Sequence, residues 1–182
     1  KVNSTVAYFV DYLYIEFAID PFYEPADVSV TSGTTTNSPA NLVGAAYTNL
    51  TSTDNNRFQV TMSAVSTAAD FYFTMKNVKL FGGANTVLVM PELCVSNVAL
   101  TFGVYLYNYN SSSYTQIGSN ITGSACTTDS DYALSFNSTA IGGFNIANYV
   151  DGSGNMRVRF LTNAPATAYS IQLDRLNVLL VR

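Results

Sequence analysis

Two cysteines, Cys94 and Cys126, are the most reactive side chains in the sequence, and no histidine accompanies them. An even number of cysteines in a processed chain predicts a disulfide between them. The bond would close a ring of about 33 residues and stabilise the fold by roughly 3–4 kcal/mol. The alternative is a pair of buried free thiols. A metal site made from two cysteines without histidine is not expected.

The carboxylates do not form a recognisable catalytic set. Glycoside hydrolysis needs two facing Asp or Glu side chains, and no spacing among the candidates selects a pair. Those candidates are Glu16, Asp20, Glu24 and Asp174. Calcium could bind the oxygens of Asp129, Asp131 or Asp151, but none of these positions matches a known calcium loop. Because histidine is also absent, the sequence predicts no enzyme, no cofactor and no metal site.

Tyrosines recur in a short segment that could bind sugars. Tyr105, Tyr107, Tyr109 and Tyr114 flank the polar stretch 110–113, which predicts a hairpin. Tyrosines on the outer face of such a hairpin could stack against sugar rings, as aromatic residues do in carbohydrate-binding sandwiches. The alternative is that tyrosine occurs there because it favours β-strands.

N-linked glycans are predicted from five Asn-Xaa-Ser/Thr sequons. The sequons begin at Asn3, Asn49, Asn110, Asn120 and Asn137. With 18 Asn and 38 Ser or Thr residues, about four sequons are expected by chance, so their placement matters more than their number. Asn110 lies in the predicted hairpin turn, from which a glycan would project outward.

The composition excludes several classes of protein. Only 11% of the residues are charged, against roughly 25% in a typical soluble domain. Eight basic residues and a net charge of −4 argue against a nucleic-acid partner. No apolar run approaches the ~20 residues of a membrane span, so none is expected in the mature chain. A start at Lys1 suggests a secreted chain from which a signal peptide has been removed.

Alternating apolar and polar residues, separated by turn clusters rich in Asn, Ser, Thr and Gly, predict an all-β fold. The predicted strands are 2–10, 12–20, 26–31, 57–65, 70–80, 86–90, 97–109, 114–121, 131–136, 156–162 and 168–181. Many short strands with frequent turns favour a β-sandwich of the jelly-roll or immunoglobulin-like kind. The stretch 151–155 (DGSGN) predicts a further hairpin. The last two predicted strands resemble those of galactose-binding-like jelly rolls, which supports the fold more than a ligand.

The apolar alternation changes phase near Asp11 and Tyr12. Apolar side chains occupy even positions in 2–10 and odd positions in 13–19. Because side chains alternate strictly along a strand, the apolar face switches sides at this point. A β-bulge, a crossing between sheets, or a different packing environment for residues 1–10 would explain the change.

These features together resemble the archaeal filament subunits that assemble by donor-strand complementation, in particular the thread pilins of thermoacidophilic archaea. The bundling pilins related to bacterial matrix fibre proteins are a close competitor. The resemblance implies a donor tail at residues 1–11 and a β-sandwich head at 12–182, with acceptor edges expected at strands 12–20 and 168–181. The implied donor-strand residues are Val2, Ser4, Val6, Tyr8 and Val10.

In that arrangement the tail fills a groove in the next subunit, and the subunits form an open head-to-tail homopolymer. The implied function is a structural one: an extracellular, cell-surface filament for adhesion or biofilm formation. Two rival functions remain open. One is a monomeric cell-surface carbohydrate-binding or adhesive β-sandwich, and the other is a jelly-roll coat or surface-layer protein.

Overall fold

The computed structural model describes residues 22–36, 50, 57–63, 67–127 and 130–182. The predicted strands 2–10 and 12–20 lie outside the described residues. So do the donor-strand residues, the sequons at Asn3 and Asn49, and the carboxylates Glu16, Asp20 and Asp129.

Two β-sheets form the architecture, and every pairing between their strands is antiparallel. The seven-stranded sheet contains β1 (Phe22–Tyr23), β3 (Thr34–Thr36), β4 (Phe58–Met62), β6 (Thr86–Val95), β9 (Ser130–Asp131), β10 (Leu134–Phe136) and β12 (Tyr169–Val181). Its strand order is β10-β6-β12-β4-β3, with β1 paired to β12 and β9 paired to β6.

The second sheet has five strands, in the order β2-β5-β11-β7-β8. These strands are β2 (Pro25–Ser32), β5 (Asp70–Met75), β7 (Thr101–Asn108), β8 (Ser113–Thr122) and β11 (Met156–Thr162). A single 3-10 helix, Ile146–Tyr149, precedes β11 in the described part of the chain. The predicted all-β sandwich is confirmed. No helix among the described residues is long and apolar enough to cross a membrane.

Strict alternation directs one face of each sheet into a shared core. Along β5 the side chains of Phe71 and Phe73 point inward and are fully buried. Phe58 of the opposing sheet contacts both rings, at centroid distances of 5.8 and 5.1 Å. Phe160 of β11 stacks on Phe71 at 5.4 Å. This phenylalanine cluster joins the two sheets.

The predicted disulfide between Cys94 and Cys126 is confirmed, with an S–S distance of 2.06 Å. Cys94 lies near the end of β6 in one sheet, and Cys126 follows β8 of the other sheet. The backbone N–H of Val95 donates to the carbonyl of Ser124 at 2.8 Å beside the bond. The disulfide therefore fastens to β6 the connecting segment that leads from β8 of one sheet to β9 of the other.

Most of the predicted strands are confirmed. The strand predicted at 70–80 ends at Met75 and the one predicted at 97–109 begins at Thr101, while 131–136 contains two short strands rather than one. Three further details are wrong. The strand predicted at 86–90 continues through Pro91 to Val95, and the Pro91 carbonyl accepts a hydrogen bond from the backbone N–H of Tyr132 at 3.0 Å. The hairpin predicted at 151–155 is a turn preceded by the 3-10 helix rather than by a strand.

The third correction concerns the last strand, which is not an acceptor edge. On one side β12 pairs with β6 from Ile171 to Val181. On its other side it pairs with β4 over Tyr169–Leu173 and with β1 at Val178 and Leu179.

Candidate functional site

The outer face of the five-stranded sheet carries most of the described tyrosines that do not belong to the core. Alternation within the strands β5, β7, β8 and β11 points these side chains away from the phenylalanine cluster and leaves them half-buried. We call this surface the tyrosine–arginine face. It consists of Tyr72, Tyr105, Tyr107, Tyr109, Tyr114, Arg157 and Arg159.

Strand register aligns part of this surface into a row that crosses all five strands. Arg159 at the centre lies opposite Tyr72 on one neighbouring strand and opposite Tyr105 on the other. Tyr72 in turn pairs with Ser29, and Tyr105 with Gln116. The row therefore alternates aromatic rings with hydrogen-bonding groups, a mixture that suits a ligand with both apolar and polar sides.

A second group of rings lies next to this row, around the turn between β7 and β8. Tyr107 is paired in register with Tyr114, and their ring centroids are 5.0 Å apart. Tyr109 approaches Tyr107 edge-on at 4.9 Å. Asn108 holds the turn by accepting hydrogen bonds from the backbone N–H groups of Asn110 and Ser111. The predicted hairpin at 110–113 is confirmed, and it brings the predicted tyrosines together.

Arg159 is held rigidly and its charge is neutralised. Its Nε donates to Asp70 Oδ1 at 2.7 Å and its Nη2 donates to Asp70 Oδ2 at 2.8 Å. The guanidinium also lies over the rings of Tyr105 and Tyr114, at 5.7 and 4.8 Å. The hydrogen bond to Asp70 raises the pKa of Arg159 above its ordinary value. Arg159 therefore holds a fixed position between the rings of Tyr105 and Tyr114.

Arg157 lies on the same face of β11 but is held by aromatic rings rather than by a carboxylate. Its guanidinium is 5.2 Å from the Tyr72 ring, 5.4 Å from Tyr107 and 5.8 Å from Tyr109. Such cation–π contacts fix the position of a cation without neutralising its charge. Within the described ranges, Arg157 forms no ion pair.

Gly103 makes room for the ring of Tyr105. A Cβ at this position would lie 2.8 Å from two atoms of the Tyr105 side chain and 3.0 Å from Asn120 Oδ1. The strand pairing shifts register at the same point, between Phe102 and Val104. A glycine in β7 therefore lets Tyr105 lie close against the sheet.

Burial changes the acidity of this surface. Desolvation raises the pKa of Tyr114 from 10.0 to about 12, and this effect exceeds the lowering by the nearby Arg157. Burial also raises the pKa of Tyr109. The phenols of these two tyrosines stay protonated at neutral pH and can donate hydrogen bonds.

The raised pKa of Tyr114 predicts a loss of stability in alkaline solution. Because the folded state favours the neutral phenol, its contribution is complete below pH 10 and disappears as the pH rises to about 12. We expect an ultraviolet titration to show a phenol that ionises near pH 12 and that is missing in Tyr114→Phe. If the two titration curves coincide above pH 11, the assignment is wrong.

Three of the predicted sequons fall on described residues. Asn110 is exposed in the β7–β8 turn, and Asn120 is exposed on β8. Asn120 Oδ1 accepts a hydrogen bond from Gln116 Nε2 at 2.8 Å, which leaves its Nδ2 unused. Asn137 is half-buried, and its Oδ1 accepts from the backbone N–H groups of Thr139 and Ala140. Glycosylation at these positions stays a prediction.

The remaining candidate carboxylates do not assemble with one another. Asp131 pairs with Arg175 at 2.7 Å, and Asp151 accepts hydrogen bonds from its own turn. Asp174 is buried in β12 of the other sheet. Across the described ranges, no group of three or more His, Cys, Asp or Glu side chains could hold a metal ion.

Sequence reasoning found the tyrosines at 105, 107, 109 and 114 but missed their partners. Tyr72, Asp70 and the two arginines were overlooked as parts of the same surface. The stretch 156–160 (MRVRF) does place two arginines on one strand face, which was the available signal. The two arginines can be assigned to this surface only once strand pairing shows that β11 lies between β5 and β7.

No protein-family model matches the chain, and no curated protein matches it. Solved structures do resemble it. PfGH50B aligns with 86% of this chain at a TM-score of 0.51 and 9% identity. An arabinose-bound MgGH51 α-L-arabinofuranosidase aligns with 87% at a TM-score of 0.50 and 13% identity. The chain spans only 22% and 23% of those two longer chains.

A third structure is similar in length to this chain. The CBM22-1 xylan-binding domain from Paenibacillus barcinonensis Xyn10C aligns over 89% of this chain and 94% of its own, at a TM-score of 0.46 and 11% identity. At such low identities these likenesses concern the fold alone. The class defined by the fold is an all-β, two-sheet sandwich.

Proposed function

We propose that this chain is a carbohydrate-binding β-sandwich that holds a saccharide against the tyrosine–arginine face. The observation behind the proposal is the arrangement of five tyrosines and two arginines on one sheet face, interleaved with amide side chains. The occurrence of this fold within an arabinose-bound arabinofuranosidase agrees with a saccharide ligand.

The chemistry of a sugar ring matches this surface. A pyranose has a C–H face that packs on an aromatic ring, and hydroxyl groups at its edge that need hydrogen-bond partners. Tyrosine supplies both an apolar ring and a polar tip. On β8, Gln116 lies opposite Tyr105; its Nε2 donates to Asn120, and its Oε1 can accept from a sugar hydroxyl.

The surface is also fixed before any ligand arrives. Arg159 is locked by its two hydrogen bonds to Asp70 and separates the rings of Tyr105 and Tyr114. Side chains that are already ordered lose little conformational entropy on binding, which favours affinity. The disulfide is in keeping with an oxidising, extracellular setting.

Replacing Tyr107 tests the proposal directly. Tyr107 contacts Tyr109, Tyr114 and Arg157, so Tyr107→Ala opens the middle of the face. We expect affinity electrophoresis on a panel of soluble polysaccharides to find a retarding polysaccharide. Tyr107→Ala should weaken its binding about tenfold, which corresponds to about 1.4 kcal/mol.

The matched control is Phe22→Ala, which removes an aromatic ring that is 53% exposed on the other sheet. This variant should bind as the parent protein does, and circular dichroism should show that both variants remain folded. Equal loss of binding in the two variants, or no binding by the parent to any polysaccharide, would contradict the proposal.

A further inference from the structure

The two arginines of the tyrosine–arginine face differ in how their charges are satisfied. Arg159 is neutralised by Asp70, whose two oxygens accept hydrogen bonds from Nε and Nη2. Arg157 lies two residues earlier on the same strand and the same face. Its Nε is buried and has no hydrogen-bond partner among the residues that the structure describes.

Three carboxylates on or beside the five-stranded sheet are engaged with other groups. Asp70 binds Arg159, and Asp27 of β2 pairs with Lys76. Asp151, in the turn before β11, accepts hydrogen bonds from the backbone of Ser153 and Asn155 and from the Asn155 side chain. The charge of Arg157 also acts on Asp151 at longer range, but no carboxylate in the described part of the chain forms an ion pair with it.

The surroundings of Arg157 make this charge available to a ligand. The rings of Tyr72, Tyr107 and Tyr109 surround the guanidinium and hold it in place. The hydroxyl oxygen of Tyr109 is buried and also lacks a hydrogen-bond partner within the described ranges. This oxygen and the Nε of Arg157 are both closed off from solvent, so a ligand reaches the guanidinium through its Nη groups, which are not among the buried atoms without a partner.

We propose that Arg157 binds the carboxylate of an acidic sugar, so that the saccharide ligand contains uronate residues. The Arg159–Asp70 pair shows, on the same strand, that a guanidinium at this surface receives a carboxylate through two parallel hydrogen bonds. A uronate would meet the two Nη groups of Arg157 in a similar fork-to-fork manner, while its ring packs against the neighbouring tyrosines. This inference rests on the proposed saccharide-binding function.

Because the whole chain is negatively charged, recognition of an acidic sugar must depend on short-range contacts. The chain carries a net charge of −4, which repels an acidic polymer at long range. Affinity for a uronate must therefore come from the short-range contact with Arg157, and uronate binding should weaken when the guanidinium is removed, even though the rings remain.

The test compares three uronate polymers, namely polygalacturonate, alginate and glucuronoxylan, with their carboxyl-reduced forms. Reduction converts each carboxylate to a neutral hydroxymethyl group and keeps the rest of the polymer. We expect at least one acidic polymer to bind at least tenfold more tightly than its reduced form. Arg157→Gln should abolish that preference and retain the weaker binding to the reduced form.

Arg182→Gln is the matched control, because Arg182 also lies over an aromatic ring, that of Phe81, but is outside this face. It should keep the preference for the acidic form. Arg157→Lys preserves the charge but not the planar fork, so it should recover only part of the preference. Thermal unfolding of all the variants identifies any that fail to fold. If Arg157→Gln does not fold, the preference of Arg157→Lys for the acidic polymer is compared with that of the parent protein instead.

The outcomes separate this inference from the proposed function. If each acidic polymer and its reduced form bind equally and Tyr107→Ala weakens both, the face binds saccharides but the uronate inference is overturned. A preference that persists in Arg157→Gln also overturns it. Tight binding of dextran sulfate with no preference for any uronate would assign Arg157 to a sulfate ester instead. Absence of binding to every polymer would contradict both proposals.

Discussion

Replacing Phe160 with alanine should lower the free energy of unfolding by about 3–5 kcal/mol. Phe160 lies on the central strand of the five-stranded sheet and is fully buried. Its ring stacks on Phe71 at 5.4 Å and contacts Phe73 and Phe102 at 6.0 and 6.4 Å. Truncation would leave a cavity among aromatic rings in the core between the two sheets. Rigid rings rearrange too little to fill such a cavity.

Urea denaturation followed by circular dichroism measures this effect. Val98→Ala is the control, because Val98 is 61% exposed and its truncation should change stability by less than about 0.5 kcal/mol. A loss below about 1.5 kcal/mol in Phe160→Ala would show that the phenylalanine cluster is not the centre of the core.

Removing the disulfide should cost about 3–4 kcal/mol. The bond between Cys94 and Cys126 spans a sequence separation of 32, and the unfolded chain gains the conformational freedom of that ring when the bond is absent. The double variant Cys94→Ala, Cys126→Ala should therefore unfold at a lower denaturant concentration. The m-value should also rise, because an unfolded chain without the bond exposes more surface.

The parent protein under reducing conditions provides the internal check. Its unfolding midpoint should approach that of the double variant, while the double variant should be insensitive to the reductant. If the reductant leaves the parent unchanged although mass spectrometry shows free thiols, the disulfide does not stabilise the fold.

The fold was predictable because the sandwich relies on a pattern of period two, which a sequence displays directly. In β11 the sequence alternates Met156, Arg157, Val158, Arg159 and Phe160, and the structure alternates buried and half-buried side chains in the same phase. Composition alone indicated that the two cysteines would pair. Local turn chemistry placed the β7–β8 hairpin correctly.

The candidate site was only half predictable, because strand order is a long-range property. The tyrosines of β7 and β8 adjoin in sequence, so their clustering could be inferred. Asp70 and Arg159 are 89 residues apart, and only the pairing of β5 with β11 brings them together. Nothing in the local pattern distinguishes an arginine that finds a carboxylate from one, like Arg157, that does not.

The described residues do not test the resemblance to archaeal filament subunits. Its implied donor residues, including Val6 and Tyr8, lie outside the described residues, so donor-strand assembly stays a prediction. The correction to strand 168–181 limits it, since β12 has partners on both sides and is not an open acceptor edge. The proposed saccharide site lies on the other sheet, at the tyrosine–arginine face.

The measurement that tests the central claim most directly is an amide NMR titration of the ¹⁵N-labelled protein with the tightest-binding saccharide of the panel. A ligand on the tyrosine–arginine face should shift resonances in β5, β7, β8 and β11 around Tyr72, Tyr107 and Arg157. Resonances of β4, β6 and β12 in the seven-stranded sheet should stay in place. Shifts confined to the seven-stranded sheet would contradict the account.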